Sequence, residues 1–265
     1  MKARPRYRGL FATLLGVVAV AAVVGVVFRR ADPSSPTAFQ TPTVADDPIP
    51  EIVDLDRLDP IMAQAVRDAV AAVRSDRTSA DAWGELGRVY HAHDYIDLAR
   101  ACYQRARRLD REAAAWPYYL AFLAAERGEL DVATAHYSRV VELRPDYLPV
   151  YFRLGNALLA AERLDEAEAT YRRLLELAPA EPWAHLGLGK VARRRDRGAA
   201  AARHLERSLE LDPDNRQARY LLAMTRIELG QEAAGRELLA GLGSEEVAVL
   251  ADPMLEEVRT RTRDV

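Results

Sequence analysis

One cysteine, Cys102, stands among the 265 residues, so neither an intramolecular disulfide nor a cage of thiolates around zinc or iron can hold the fold together. Stability has to come from packing. Lysine is nearly missing as well: Lys2 and Lys190 are the two, and arginine supplies the rest of the 37 basic residues, a skew that fits GC-rich coding better than a function. Neither sign of charge is in excess, since 40 acidic residues bring the net charge to -3, which excludes a strongly basic nucleic-acid arm. With 49% of its residues apolar, the chain is too rich in core formers for general disorder.

The near balance hides an asymmetry. Lys2, Arg4, Arg6, Arg8, Arg29 and Arg30 are the only charges in the first 30 residues, and taking those six away leaves -9 for residues 31–265. Residues 10–28 are uncharged, and as a helix they would reach about 28 Å, the thickness of the hydrocarbon layer. Residues 1–30 are therefore expected to form a membrane anchor. The positive charge ahead of the span keeps the N-terminus in the cytoplasm and sends the rest of the chain across. A cleaved signal peptide is the competing reading, because Ala19-Val20-Ala21 has the small-x-small form of a peptidase site. The apolar run continues past that site to Phe28 and ends on Arg29-Arg30, which favours the uncleaved anchor. No cysteine follows the run, which excludes a bacterial lipoprotein anchor.

Residues 31–58 change character. Pro33, Pro36, Pro42, Pro48 and Pro50 interrupt any helix, and Asp32, Asp46, Asp47, Glu51, Asp54 and Asp56 repel one another, so this segment is expected to be an extended spacer.

Beyond it the chain is periodic. Leu86, Leu120, Leu154, Leu188 and Leu222 recur at one strict interval, each followed by a small residue: Gly87, Ala121, Gly155, Gly189 and Ala223. A second small position holds Ala99, Ala133, Ala167, Ala201 and Gly235, and four residues later come Tyr103, Tyr137, Tyr171, Leu205 and Leu239. This is the pattern of an antiparallel helix pair per repeat, the small residues letting two backbones approach while the large ones fill the space between layers. His93-Asp94, Arg127-Gly128-Glu129, Glu162-Arg163 and Asp196-Arg197-Gly198 supply turns within repeats, and Pro145, Pro179 and Pro213 stop the second helices.

Trp83, Leu86, Gly87, Tyr90, Ala99, Tyr103 and Ala106 resemble the signature of the tetratricopeptide repeat family, whose unit length matches the interval between the leucines. Four full repeats cover residues 80–113, 114–147, 148–181 and 182–215, and a weaker fifth covers 216–243. Departures are local: Arg111 stands where proline is expected, Pro117 and His185 replace the first aromatic, and Arg226 replaces the tyrosine of the fifth repeat. The resemblance implies an all-α, right-handed α-solenoid over residues 59–243. A cap helix over 59–75, with Ile61, Ala65, Ala69, Ala72 and Val73 facing inward, is expected to cover its first repeat. In the tail, residues 244–265, a short helix at 253–259 is expected to close the stack with Met254, Leu255 and Val258 inward.

The resemblance further implies a concave groove lined by the first helix of each repeat, used for peptides or helices of partner proteins. The family pattern places there Arg88 and His91 from repeat one, Tyr118, Phe122 and Ala125 from two, and Phe152, Asn156 and Leu159 from three. It adds Trp183, Lys190, Arg193 and Arg194 from four, and Tyr220 and Met224 from five. Asn156 is expected to clamp a backbone amide, and Lys190 with Arg193 to take a carboxylate.

Other signals carry little. His91 and His93 diverge at i, i+2 on a helix, so no metal is expected. The run Arg193-Arg194-Arg195-Asp196-Arg197 straddles a helix end, where cations suit the dipole. Gly187-Leu188-Gly189-Lys190 lacks the strand before it and the hydroxyl after it that a phosphate loop needs. No catalytic constellation is found, and no cofactor or nucleic-acid partner is expected.

The sequence thus points to a non-enzymatic scaffold or adaptor of a bacterial envelope complex, such as one for cytochrome maturation, secretion or pilus assembly. It is expected to be anchored in the inner membrane with its repeats in the periplasm, or secreted if the signal is cleaved. The alternative is an accessory, substrate-presenting subunit of a separately encoded enzyme such as a glycosyltransferase or redox complex. Self-association through an exposed end stays open.

Overall fold

The computed structural model describes residues 48–52, 55–242 and 252–263. The expected span at residues 10–28 and most of the spacer lie outside the described residues, among which no helix is long and apolar enough to cross a membrane.

Among the described residues the regular structure is helical throughout. After a 3-10 turn at Leu55–Arg57 comes α1 (Pro60–Ser75). Five helix pairs follow: α2 (Ala80–Ala92) with α3 (Ile96–Leu109), α4 (Ala115–Glu126) with α5 (Leu130–Leu143), and α6 (Leu148–Ala160) with α7 (Leu164–Leu177). The series continues with α8 (Pro182–Arg194) and α9 (Gly198–Leu211), then α10 (Arg216–Glu228) and the shorter α11 (Glu232–Ala240). The last helix is α12 (Pro253–Arg263). From α1 to α11 each helix packs on the next in sequence, and the first helices of repeats three, four and five also touch one another.

Local chemistry sets the helix ends. Asp59, Ser79 and Asn215 accept the first-turn amides of Ile61, Ala82 and Ala218 at 2.9, 3.1 and 3.0 Å, and Pro60 and Pro182 open α1 and α8, where a missing N–H costs nothing. Every first helix ends alike. Asp94, Gly128, Glu162, Asp196 and Gly230, again one repeat apart, have φ between 55° and 79°. The next amide returns to a carbonyl five residues back: Tyr95 to Tyr90, Glu129 to Ala124, Arg163 to Leu158, Arg197 to Ala192 and Gln231 to Arg226, all within 2.8–2.9 Å. This is the Schellman closure, here built on glycine in only two of five repeats.

Inside each pair the small and large positions meet. A Cβ added to Gly87 would lie 2.7 Å from the Tyr103 ring, and one on Gly189 would lie 2.8 Å from Leu205. Tyr171 is bracketed by two glycines from adjacent repeats: Cβ atoms on Gly155 and Gly187 would fall 2.5 and 2.3 Å from its ring. Tyr103, Tyr137, Tyr171 and Leu205 are all buried, as are the five leucines that mark the period. Leu239 is half-buried, in keeping with the short α11.

Three expectations need correction. The cap helix buries Met62, Ala63, Val66, Ala69, Val70 and Val73, while Ile61 and Ala72 are exposed and Ala65 is half-buried. Its inner face is thus rotated from the expected stripe, because the larger Met62, Val66 and Val70 gain more from burial than alanines do. The described end of the spacer is docked rather than extended into solvent: Ile49, Ile52 and Leu55 pack on the core, and the Tyr90 hydroxyl donates to the Pro50 carbonyl at 2.7 Å. The C-terminal helix runs to Arg263 and buries Met254, Leu255 and Val258 as expected, but it packs on α2 and α4 instead of closing the last repeat.

Gly187→Ala should lower stability by about 1–2 kcal/mol in chemical denaturation. The overpacking against Tyr171, about 1–3 kcal/mol, exceeds the gain of about 1 kcal/mol in helix propensity. Adding Tyr171→Leu, which copies the Leu205 arrangement of the next repeat, should recover part of the loss; an unaltered or raised stability for the single variant would show that this contact does not set the helix spacing.

Candidate functional site

The first helices present side chains in rows that follow the repeat spacing of the fold. One row is Arg88, Phe122, Asn156, Lys190 and Met224; another contains Tyr118, Phe152 and Tyr220; a third contains Glu85, Tyr119 and Arg153. The third row was not singled out from the sequence, and it is the one on which α12 lies.

The helix runs along that row against the order of the repeats. At its start, the Asp252 carboxylate is fully enclosed. Arg153 Nε donates to Asp252 Oδ2 at 2.7 Å and stands 2.8 Å from the Tyr118 hydroxyl, which itself donates to the same Oδ2. Tyr147 donates to Oδ1 at 2.6 Å and accepts from the Met254 amide at 3.1 Å. Within its own helix Asp252 also takes the Leu255 amide at 3.4 Å, so one carboxylate both caps α12 and binds it to the groove. Midway, the Tyr119 hydroxyl lies 3.0 Å from the Met254 carbonyl and 2.9 Å from Glu257. At the far end, Arg261 makes two bonds to Glu85, at 3.0 and 2.8 Å.

Burial dominates the ionisation of the two tyrosines that hold Asp252. It pushes the Tyr118 phenol well up, with the negative Asp252 adding to the shift and Arg153 opposing it, so Tyr118 remains a proton donor. Tyr147 is raised for the same first reason. Burial likewise raises the Cys102 thiol and makes it a packing residue rather than a nucleophile.

The groove residues expected from the family pattern divide into three sets. Arg88 and Tyr118 contact α12, with Phe122 under Arg153 and His91 against Phe122. Arg88 is bonded to Glu85 at 2.7 Å and stands 3.6 Å from Glu257, while the Arg153 guanidinium covers Phe122 at 5.0 Å. His91 is buried between Tyr103, at 3.3 Å, and the ring of Phe122. Phe152, Trp183, Asn156 and Lys190 form a second cluster beyond α12. Lys190 donates to Asn156 Oδ1 at 3.3 Å and lies over the Phe152 ring, and burial pulls its ammonium down to about 8. Asn156 also accepts from Tyr171 at 3.0 Å, so it is tied to the repeat core.

Leu159 is buried, Ala125 and Met224 are half-buried, and Tyr220 is exposed. Arg193 does not stand with Lys190 as a carboxylate pair. It donates to the Leu221 carbonyl, Thr225 and Glu228 and so fastens repeat four to repeat five. Arg194 and Arg195 pair with Glu162, Asp165 and Glu168 of the preceding repeat, which accounts for the arginine run. Among the described residues no group of three or more His, Cys, Asp and Glu side chains could hold a metal ion.

Tyr119, Tyr147, Arg153, Glu85 and Asp252 were missed. Glu85, Tyr119 and Arg153 lie one repeat apart and were open to discovery by the same period, and Asp252-Pro253 is a helix-start signal.

Sequence models of the tetratricopeptide repeat match residues 124–191, 192–248 and 93–147, and the chain belongs to that family. Superkiller complex protein 3 of Mus musculus is 27% identical over 97 residues, 37% of this chain and 6% of that protein, so the chain spans a small fraction of its relative's length. Among solved structures, MamA from Desulfovibrio magneticus RS-1 superposes with a TM-score of 0.56 at 16% identity, over 70% of this chain and 97% of that one. YrrB, described as a repeat protein with an unusual peptide-binding site, gives 0.54 at 17% identity over 76% and 95% of the two chains. These likenesses show the fold, and the repeat fold supports protein–protein interaction.

Burial also pulls the His91 imidazole down to about 4 from 6.5, against a smaller opposing effect of Asp94. Between those values the unfolded chain binds the extra proton, so stability falls as the pH is lowered from about 6.5 toward 4. His91→Gln should remove up to about 3 kcal/mol of that dependence relative to wild type, measured by urea unfolding across the range. Parallel pH dependences in the two proteins would exclude His91 as the source.

Proposed function

We propose that the chain is a non-enzymatic adaptor whose first-helix groove takes a helix of a partner protein. The observation that carries this reading is the helix already seated there: α12 shows that the face accommodates an amphipathic helix with both apolar and charged contacts. The peptide-binding description of YrrB, a protein of the same fold, supports it in kind. The uncharged stretch at residues 10–28 supports a membrane anchor, with the repeats on the periplasmic side of a bacterial inner membrane and the partners in an envelope complex.

Crosslinking and capture from native membranes with the full-length chain tests this reading. The comparison is wild type against Phe122→Ala, Trp183→Ala and Lys190→Ala together, three half-buried groove residues, after circular dichroism shows that both proteins fold. Partners lost only with the variant are the expected result, and an enzyme among them would make the chain an accessory subunit. Retention of every partner would move recognition away from the groove.

A further inference from the structure

We propose that α12 is a resident ligand of the groove, standing in for a helix of another protein with the same chemistry. That chemistry is an aspartate at the N-cap, apolar side chains two, three and six residues later, and a cation nine residues later. The inference rests on the groove reading above and goes further in naming the occupant and its competitor.

The contacts assign a direction and a register. The acid-binding end is Tyr118, Tyr147 and Arg153 around Asp252, and the base-binding end is Glu85 under Arg261. Between them Arg88 faces Glu257, and Met254, Leu255 and Val258 are buried. A helix laid in reverse would set its cation against Arg153 and its acid against Glu85. Aspartate at the helix start and Arg259 and Arg261 near its end also suit the helix dipole.

Other features make this occupant exchangeable. α12 has 11 residues, below the length at which an isolated helix persists in water, so the groove holds it in shape. Two of its ion-pair partners already reach solvent: the Arg153 and Glu85 side chains are partly exposed even with α12 in place, whereas the Tyr118 side chain is buried. The repeats also have a core of their own, built from rings on glycines, to which α12 contributes only three apolar side chains. Because α12 belongs to the same chain, a partner meets a competitor at high effective concentration, and its apparent affinity is cut by the fraction of chains with the groove open.

The test uses a fluorescein-labelled peptide with the sequence of residues 251–263 and the full chain. Anisotropy titrations compare wild type with Met254→Glu/Val258→Glu, which ejects α12 and leaves every groove residue unchanged. Arg261→Glu, which sets a carboxylate against Glu85, is the milder second variant should the first fold poorly. The expected result is at least tenfold tighter peptide binding to the ejected variants than to wild type, and at least tenfold weaker binding of a peptide carrying Asp252→Asn. Equal affinity for wild type and ejected chains would overturn the resident-ligand role while leaving groove recognition intact. Failure of the peptide to bind any folded chain, with the membrane partners still lost in the Phe122/Trp183/Lys190 variant, would overturn this signature but not the adaptor reading. A wild-type dimer that places α12 in a second copy, seen by sedimentation, would overturn the competition within one chain.

Discussion

Large side chains pressed onto glycine backbone set the geometry on which the rest of the structure depends. Tyr103 lies on Gly87, Leu205 on Gly189, and Tyr171 between Gly155 and Gly187, so the separation of these neighbouring helices is fixed by a large side chain against peptide. Repeating that contact along the chain has a consequence at the surface. Positions that share a place in the repeat line up along the first helices, and Glu85, Tyr119 and Arg153 become one continuous row although a whole repeat separates each from the next. The face on which α12 lies is a by-product of the packing rule.

That row explains where α12 lies and where it stops. Acid and base at its two ends are complementary to Arg261 and Asp252, and in repeat four the corresponding position is Gly187, which offers no side chain. The carboxylate of Asp252 is enclosed but amply bonded, which satisfies the condition for burying a charge. Beyond the end of the helix the groove continues through Phe152, Trp183, Asn156 and Lys190. The solenoid thus has one part of its first-helix face covered by α12 and another part lined by aromatics and the half-buried Lys190 amine.

Much of this was legible in the sequence because the repeat encodes it locally. The period, the small and large positions and the turn residues are short-range signals, and four of the five left-handed turn residues, Asp94, Gly128, Glu162 and Asp196, lie within the turns read from the sequence, while Gly230 adds a fifth. What could not be read depends on long-range encounters. The amphipathic pattern of residues 253–259 showed which side chains turn inward but not what they turn toward, since the same stripe would serve against α10 or α2. Arg193 looked like a ligand-binding cation because nothing in the sequence shows that Thr225 and Glu228, on the next repeat, come within its reach. In the last residues of the spacer prolines and acids dominate the composition, whereas Ile49, Ile52 and Leu55 decide where they go.

The role of the groove turns on the seating of α12 against the first helices, and a distance between α2 and α12 reports it. With Cys102 buried, spin labels on Asp81→Cys and Arg259→Cys report the separation of α2 and α12 in the full chain. A seated α12 gives one narrow distance distribution that broadens on adding Met254→Glu/Val258→Glu. A broad distribution in the otherwise unaltered chain, indifferent to those substitutions, would contradict it.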